Sequence, residues 1–168
     1  LDMEKASTEI LNIVTGKPAE IGRELLANPK VRKITFTGST EVGKLLMRGA
    51  ADGVKKISLE LGGHAPFIVF ADADLDKAVD GLIANKFRNA GQTCICTNRV
   101  YVQKEVCDAF GKKLAEKAAA LVIGNGLDEK TQIGPMIEPA GLEKVREHVE
   151  DARQRGARIL CGGKSHDG

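Results

Sequence analysis

With 168 residues and 42% apolar side chains, the chain is long enough to bury a sizeable core, and its composition excludes disordered and fibrous classes. Its 25 basic and 23 acidic residues are spread along the chain to a formal charge of +2, and only 4% of side chains are aromatic. It therefore lacks the basic footprint and the stacking platforms of a nucleic-acid binder. No apolar run approaches membrane-spanning length and no charged-then-apolar leader opens the sequence. Four cysteines without metal-type spacing predict reduced thiols and no metal site, in a soluble protein of the cytoplasm or mitochondrial matrix.

Leu1 to Glu9 carry weak signals and predict a partly helical start. Ile10 to Val14, closed by Thr15-Gly16, reads as a short buried strand. Pro18 opens a helix with Ile21, Leu25 and Leu26 on one face, and Asn28-Pro29 stops it. Val31 to Phe36 reads as a strand running into Thr37-Gly38-Ser39 and a helix over Glu41 to Ala51. Strand and helix alternating in this way predict an α/β fold with parallel sheets covered by helices. The turn from Gly38 to Gly43 suits a phosphate, because glycine admits a ligand close to the backbone and a helix start favours anions. Ser39 and Thr40 acting only as helix caps explains the spacing equally well.

Val54 to Leu61 reads as a strand in which Ile57, Leu59 and Leu61 share one face, and period two sends Glu60 to the other. Most glutamates are simply solvated, but Gly62-Gly63 lets a ligand approach the backbone just beyond this carboxylate. Pro66 to Phe70 is a further short strand, and Asp72-Ala73-Asp74 caps a helix through Phe87. A loop follows, Phe87-Arg88-Asn89-Ala90-Gly91-Gln92-Thr93-Cys94-Ile95-Cys96. It places one thiol after a glycine-containing turn and near positive charge, which is what an activated thiolate needs. Arg99 to Val102 is a strand, Lys104 to Leu121 a helix with Val106, Phe110, Leu114 and Ala118 inward, and Glu138 to Arg155 a helix with Leu142, Val145 and Val149 inward. Ala157 to Cys161 reads as a last strand.

Four motifs, in order, carry a resemblance: Phe36-Thr37-Gly38-Ser39-Thr40-Glu41-Val42-Gly43, Leu59-Glu60-Leu61-Gly62-Gly63, Gly91-Gln92-Thr93-Cys94 and Ile133-Gly134-Pro135-Met136-Ile137. Through them the sequence resembles the aldehyde dehydrogenase family from about Ile10 to its end. Phe87-Arg88-Asn89 and Cys94-Ile95-Cys96 make it similar to the branch that oxidises succinate semialdehyde. His64 departs from the residues more usual after the glycine pair, without touching a catalytic group.

The resemblance implies an internal piece of a longer polypeptide: residues 1–62 as the end of a dinucleotide-binding domain, residues 63–168 as the start of the catalytic domain. It implies NAD or NADP beside Gly38, Ser39, Gly43 and Leu61. In the implied chemistry Cys94 adds to the aldehyde carbonyl to give a thiohemiacetal, hydride passes to the cofactor, and Glu60 activates water to hydrolyse the resulting thioester. Arg88 would bind the substrate carboxylate, where spacing alone favours an exposed arginine at a helix end. Cys96 is implied as a reversible disulfide partner of Cys94, or else as a structural cysteine. The expected partner is a small aldehyde carrying a carboxylate, and the expected assembly a homodimer or homotetramer. A dehydrogenase for glutarate semialdehyde or for general aldehydes, and an inactive fragment or assembly module, stay open as alternatives.

Overall fold

The computed structural model describes residues 10–165, which divide into two compact units between Gly62 and Gly63. The start at Leu1 to Glu9 lies outside the described residues.

The first unit contains α1 (Pro18–Ala27), β1 (Lys33–Thr37), α2 (Thr40–Asp52) and β2 (Lys56–Glu60). Pro18 occupies the first turn of α1, where its missing N–H is no loss. Asn28 ends that helix in an extended conformation, as a residue before proline must. β1 and β2 run parallel, in register from Lys33 opposite Lys56 to Thr37 opposite Glu60. Along β2 the half-buried Ile57 and Leu59 alternate with the exposed Lys56, Ser58 and Glu60. Among the described residues of this unit, Ile34 and Ala50 are the buried apolar side chains. The Lys55 ammonium donates to the Asn28 and Val31 carbonyls at 2.7 Å each, tying the loop before β1 to the start of β2.

Val54 closes α2 in the left-handed region at φ 50°, with its N–H on the Ala51 carbonyl and the Lys55 N–H on that of Ala50. This pair of bonds is the helix-ending motif in which glycine is the usual left-handed residue. Val54 is β-branched and 90% exposed, so it bears the backbone strain without gaining burial here. Val54→Gly is expected to stabilise the protein by about 1 kcal/mol, the steric relief exceeding the entropy glycine adds to the unfolded chain. Urea unfolding measures this, and an unchanged or lower midpoint would contradict it.

The second unit contains β3 (Ala65–Val69), α3 (Leu75–Lys86), a 3-10 turn (Arg88–Gly91), β4 (Thr97–Val102), a second 3-10 turn (Lys104–Val106), α4 (Cys107–Ala119) and α5 (Pro139–Gln154). β3 and β4 pair in parallel across the α3 crossover. The parallel strands and covering helices expected from the sequence are thus present in both units. Val69, Val79, Leu82 and Phe110 form the buried cluster, with Phe67, Leu75, Ile83, Val102 and Leu114 packed on it. Asp74 caps α3 by accepting from the N–H groups of Asp76 and Lys77. Lys113 donates to Asp76 at 2.6 Å, holding that carboxyl below its ordinary value, and Lys117 pairs with Asp80, so two ion pairs join α4 to α3. Both pairs are exposed and screened by salt, so burial of the apolar cluster holds this unit together.

The β3 and β4 ladder carries one irregularity. Ala65 faces Thr97 but Pro66 faces Arg99, which leaves Asn98 as an extra residue in β4. Proline has no N–H to give the ladder, and a bulge opposite it accommodates the loss.

Three expectations are corrected. Ile10 to Val14 is not a strand: Ile10, Leu11, Ile13 and Val14 are between 68% and 85% exposed. Ala157 to Cys161 likewise forms no strand. The α5 stripe exists, but no residue of that helix is buried and Leu142 and Val145 are exposed. In each case an apolar pattern reports a tendency to be covered, while a strand or an inward face also needs a partner; among the described residues neither segment pairs as a strand, and of the α5 stripe only Val149 is half-buried.

Candidate active site

In the first unit the residues singled out from the sequence gather at one edge, the carboxyl ends of β1 and β2. Ligands of open parallel sheets bind at that edge. The Gly38 N–H donates to the Glu60 carbonyl at 3.0 Å, which pins the turn after β1 to the last residue of β2. That N–H is therefore already used. Ser39 caps α2, its Oγ accepting from the Val42 N–H at 3.3 Å. The remaining N–H groups of the first turn, on Thr40 and Glu41, have no acceptor within the helix and make the anion-binding end. Gly43 is buried, and a Cβ there would fall 2.6 Å from Leu61 Cδ2. Its lack of a side chain thus admits Leu61 against α2. The Glu60 side chain is exposed, on the face opposite Leu59.

Between α1 and α2 lies an open groove of about 1160 Å³, lined by Leu26, Val31, Val42, Leu45, Leu46 and Gly49 among others. The groove runs along α2 from Val42 past its end to Lys55, and its apolar stretch suits a flat aromatic group. The sequence reading missed this groove. Its signal was there, as apolar residues at helical spacing on both α1 and α2.

In the second unit the chain leaves α3 at Phe87 and passes through three consecutive left-handed residues, Asn89 (φ 51°), Ala90 (φ 54°) and Gly91 (φ 78°). Non-glycine residues in this region cost about 1–3 kcal/mol each and persist only where their surroundings hold them. A Cβ at Gly91 would lie 3.3 Å from the Lys86 carbonyl, so this position needs glycine for space as well as for conformation. The arm then enters a turn in which the Cys96 N–H donates to the Thr93 carbonyl at 3.2 Å. Cys94 and Ile95 occupy its corner and are exposed. Thr93 Oγ1 is buried and without a hydrogen-bond partner among the described residues. Arg88 is exposed at the start of the arm, with no carboxylate partner among the described residues.

The sequence agrees with that geometry: residues 4–168 match the aldehyde dehydrogenase family. The chain belongs to this family. It is 57% identical over 158 residues to the NADP(+) succinate-semialdehyde dehydrogenase GabD of Escherichia coli, covering 94% of this chain and 33% of that protein. It is 58% identical over 159 residues to the glutarate-semialdehyde dehydrogenase of Pseudomonas putida, covering 95% and 33%. The crystal structure of succinate-semialdehyde dehydrogenase from Burkholderia pseudomallei superimposes with a TM-score of 0.88 at 54% identity, over 92% of this chain and 32% of that one. The chain thus spans about a third of the length of the curated relatives it matches.

Within this aldehyde dehydrogenase segment the two neighbouring thiols differ. Cys96 is buried and its Sγ donates to the Lys86 carbonyl at 3.4 Å, while Cys94 is exposed; both are free. The chain turns between them, the Cys96 N–H closing on the Thr93 carbonyl. Asn98, the extra residue of β4, was not singled out in the sequence. Its Nδ2 donates to the Gly63 carbonyl at 3.2 Å and its Oδ1 accepts from the Lys86 ammonium at 2.9 Å. Gly63 in turn lies against the cysteine turn, where a Cβ would come within 3.3 Å of the Cys94 carbonyl oxygen. Pro66 was the signal that could have led to Asn98.

Proposed function

We propose that this segment carries the nucleophile, the general base and part of the cofactor site of an NAD(P)-dependent aldehyde dehydrogenase acting on succinate semialdehyde. The exposed Cys94 at the corner of a turn held by a left-handed arm is the observation that carries the reading. A thiol there is accessible to a carbonyl, and its neighbours are fixed by hydrogen bonds. Residues 1–62 contribute to the dinucleotide-binding domain and residues 63–168 to the catalytic domain.

The Ser39-capped start of α2 and the groove beside it would hold the phosphate and aromatic portions of the dinucleotide, and the fit of both supports this role. The bound cofactor supplies the hydride acceptor. Cys94 forms the carbon–sulfur bond to the aldehyde carbon, and after hydride loss the same bond is a thioester. Glu60 takes a proton from water, whose oxygen attacks the thioester carbon and releases the Cys94 sulfur with the carboxylate product.

Arg88 reads the far end of the substrate. Its guanidinium is exposed and uncommitted to any acid among the described residues, and its planar fork matches a carboxylate. In the full-length protein, Arg88→Ala is expected to lower kcat/KM for succinate semialdehyde by about 10- to 100-fold, the scale of a lost charge-assisted bond, and to change turnover of an uncharged aldehyde less than about threefold. Equal losses for both would remove Arg88 from substrate recognition.

A second reading, glutarate semialdehyde as the substrate, is favoured by the 58% identity to an enzyme bearing that name. Comparing kcat/KM for the four- and five-carbon semialdehydes separates the two.

A further inference from the structure

We infer that Gln92 is a positioning residue that locks the left-handed arm and thereby sets where Cys94 and Arg88 stand. The inference rests on the reading of Cys94 as nucleophile and of Arg88 as the carboxylate reader. Gln92 sits between them in sequence, and its carboxamide is used at both ends. Nε2 donates to the Asn89 carbonyl at 3.1 Å, and Oε1 accepts the Ile137 N–H at 3.0 Å. The first bond closes on the arm itself, and the second reaches 45 residues along the chain to the Ile133-Gly134-Pro135-Met136-Ile137 motif. Around the same pair, the Gln92 N–H donates to the Asn89 carbonyl at 3.1 Å, and Asn89 Nδ2 donates to the Gln92 carbonyl at 3.3 Å.

Four bonds thus converge on a segment whose backbone is unfavourable for Asn89 and Ala90. Such a backbone needs its surroundings to hold it. Asn89 is exposed and Ala90 has only a half-buried methyl, so polar contacts do much of the holding, and among the described side chains only Gln92 ties the arm to a distant part of the unit. Ile137 is itself 89% exposed, so its backbone N–H, and not its side chain, is the part engaged. The carboxamide orientation follows from the partners: an N–H can face only the oxygen, and a carbonyl only the nitrogen.

Two variants of the full-length protein test this. Gln92→Met keeps the length of the side chain and removes both bonds. Gln92→Glu keeps an acceptor for the Ile137 N–H and loses the donor to Asn89. Gln92→Met is expected to lower kcat for the carboxylate-bearing semialdehyde by about tenfold or more, since misplacing a reacting group by an ångström costs up to about a hundredfold. Iodoacetamide should still label Cys94, showing an accessible thiol, and leave the buried Cys96 unlabelled, showing folded protein. Amide hydrogen exchange at Ile137 should quicken in Gln92→Met and stay near wild type in Gln92→Glu. Unaltered exchange at Ile137 in Gln92→Met, or a kcat within twofold of wild type, overturns the inference. Should Gln92→Met not fold, Gln92→Glu decides: a kcat lowered at least threefold at an unchanged melting temperature supports it, and any smaller loss, or one that follows the melting temperature, overturns it. An active Cys94→Ala protein would instead overturn the reading of Cys94, and the exchange result would still report on the lock.

Discussion

Replacing Cys94 by alanine in the full-length protein is expected to abolish aldehyde oxidation, with kcat reduced at least about a thousandfold, as removal of a nucleophile commonly does. The Thr93 hydroxyl, the other oxygen or sulfur of the turn besides Cys96, is buried. Ile95 is inert, and the Cys96 thiol is buried against the last turn of α3. The fold should not notice the change, because Cys94 is exposed and no hydrogen bond from its sulfur is formed among the described residues. An unchanged melting temperature with undiminished binding of nicotinamide cofactor, alongside lost turnover, is the expected pattern. Cys96→Ala makes the matching control, with turnover kept and stability lowered by the emptied site. If Cys94→Ala retained a tenth of wild-type turnover, covalent catalysis by this residue would be refuted.

Glu60→Gln should separate the two halves of the cycle. It preserves the shape of the side chain and the backbone bond from Gly38 to the Glu60 carbonyl, and removes only the ability to accept a proton from water. General-base assistance contributes about 10²- to 10⁴-fold, and kcat is expected to fall by that much. Reduced cofactor should still appear in a burst near one equivalent per chain, because the carbon–sulfur bond forms before the base is needed. Mass spectrometry should then find the acyl group on Cys94. A variant without a burst but with the same slow turnover would place Glu60 before thioester formation, and one with kcat within threefold of wild type would leave it no proton-transfer role.

Several of these features were legible because they are local. The alternation Ile57, Ser58, Leu59, Glu60 needs only the period of a strand to put the carboxylate opposite the apolar face, and the structure shows that alternation. Pro18, Asn28-Pro29 and Asp74 mark helix ends by their own backbone and side-chain chemistry, and the helices begin and end there. What could not be read depends on partners distant in sequence. Ile10 to Val14, Ala157 to Cys161 and the stripe on α5 announce surfaces to be covered without naming what covers them. The left-handed path through Ala90 was also out of reach, since Gly91 and, more weakly, Asn89 are the residues there that advertise such a conformation. Gly43 was legible as a glycine of the phosphate turn, yet its neighbour proved to be Leu61, a contact no local pattern encodes.

The mismatch between β3 and β4 has a consequence for how this sequence tolerates change in length. Removing Asn98 would bring Thr97 and Arg99 into ordinary succession opposite Ala65 and Pro66, so the ladder would meet a proline without the bulge that absorbs its missing N–H. The deletion would turn the buried Thr97 to the other face of the strand and would cut the only side-chain tether between Gly63 and β4 among the described residues. Deletion scanning across Thr97–Arg99 would therefore find that this strand does not tolerate the loss of one residue at its bulge.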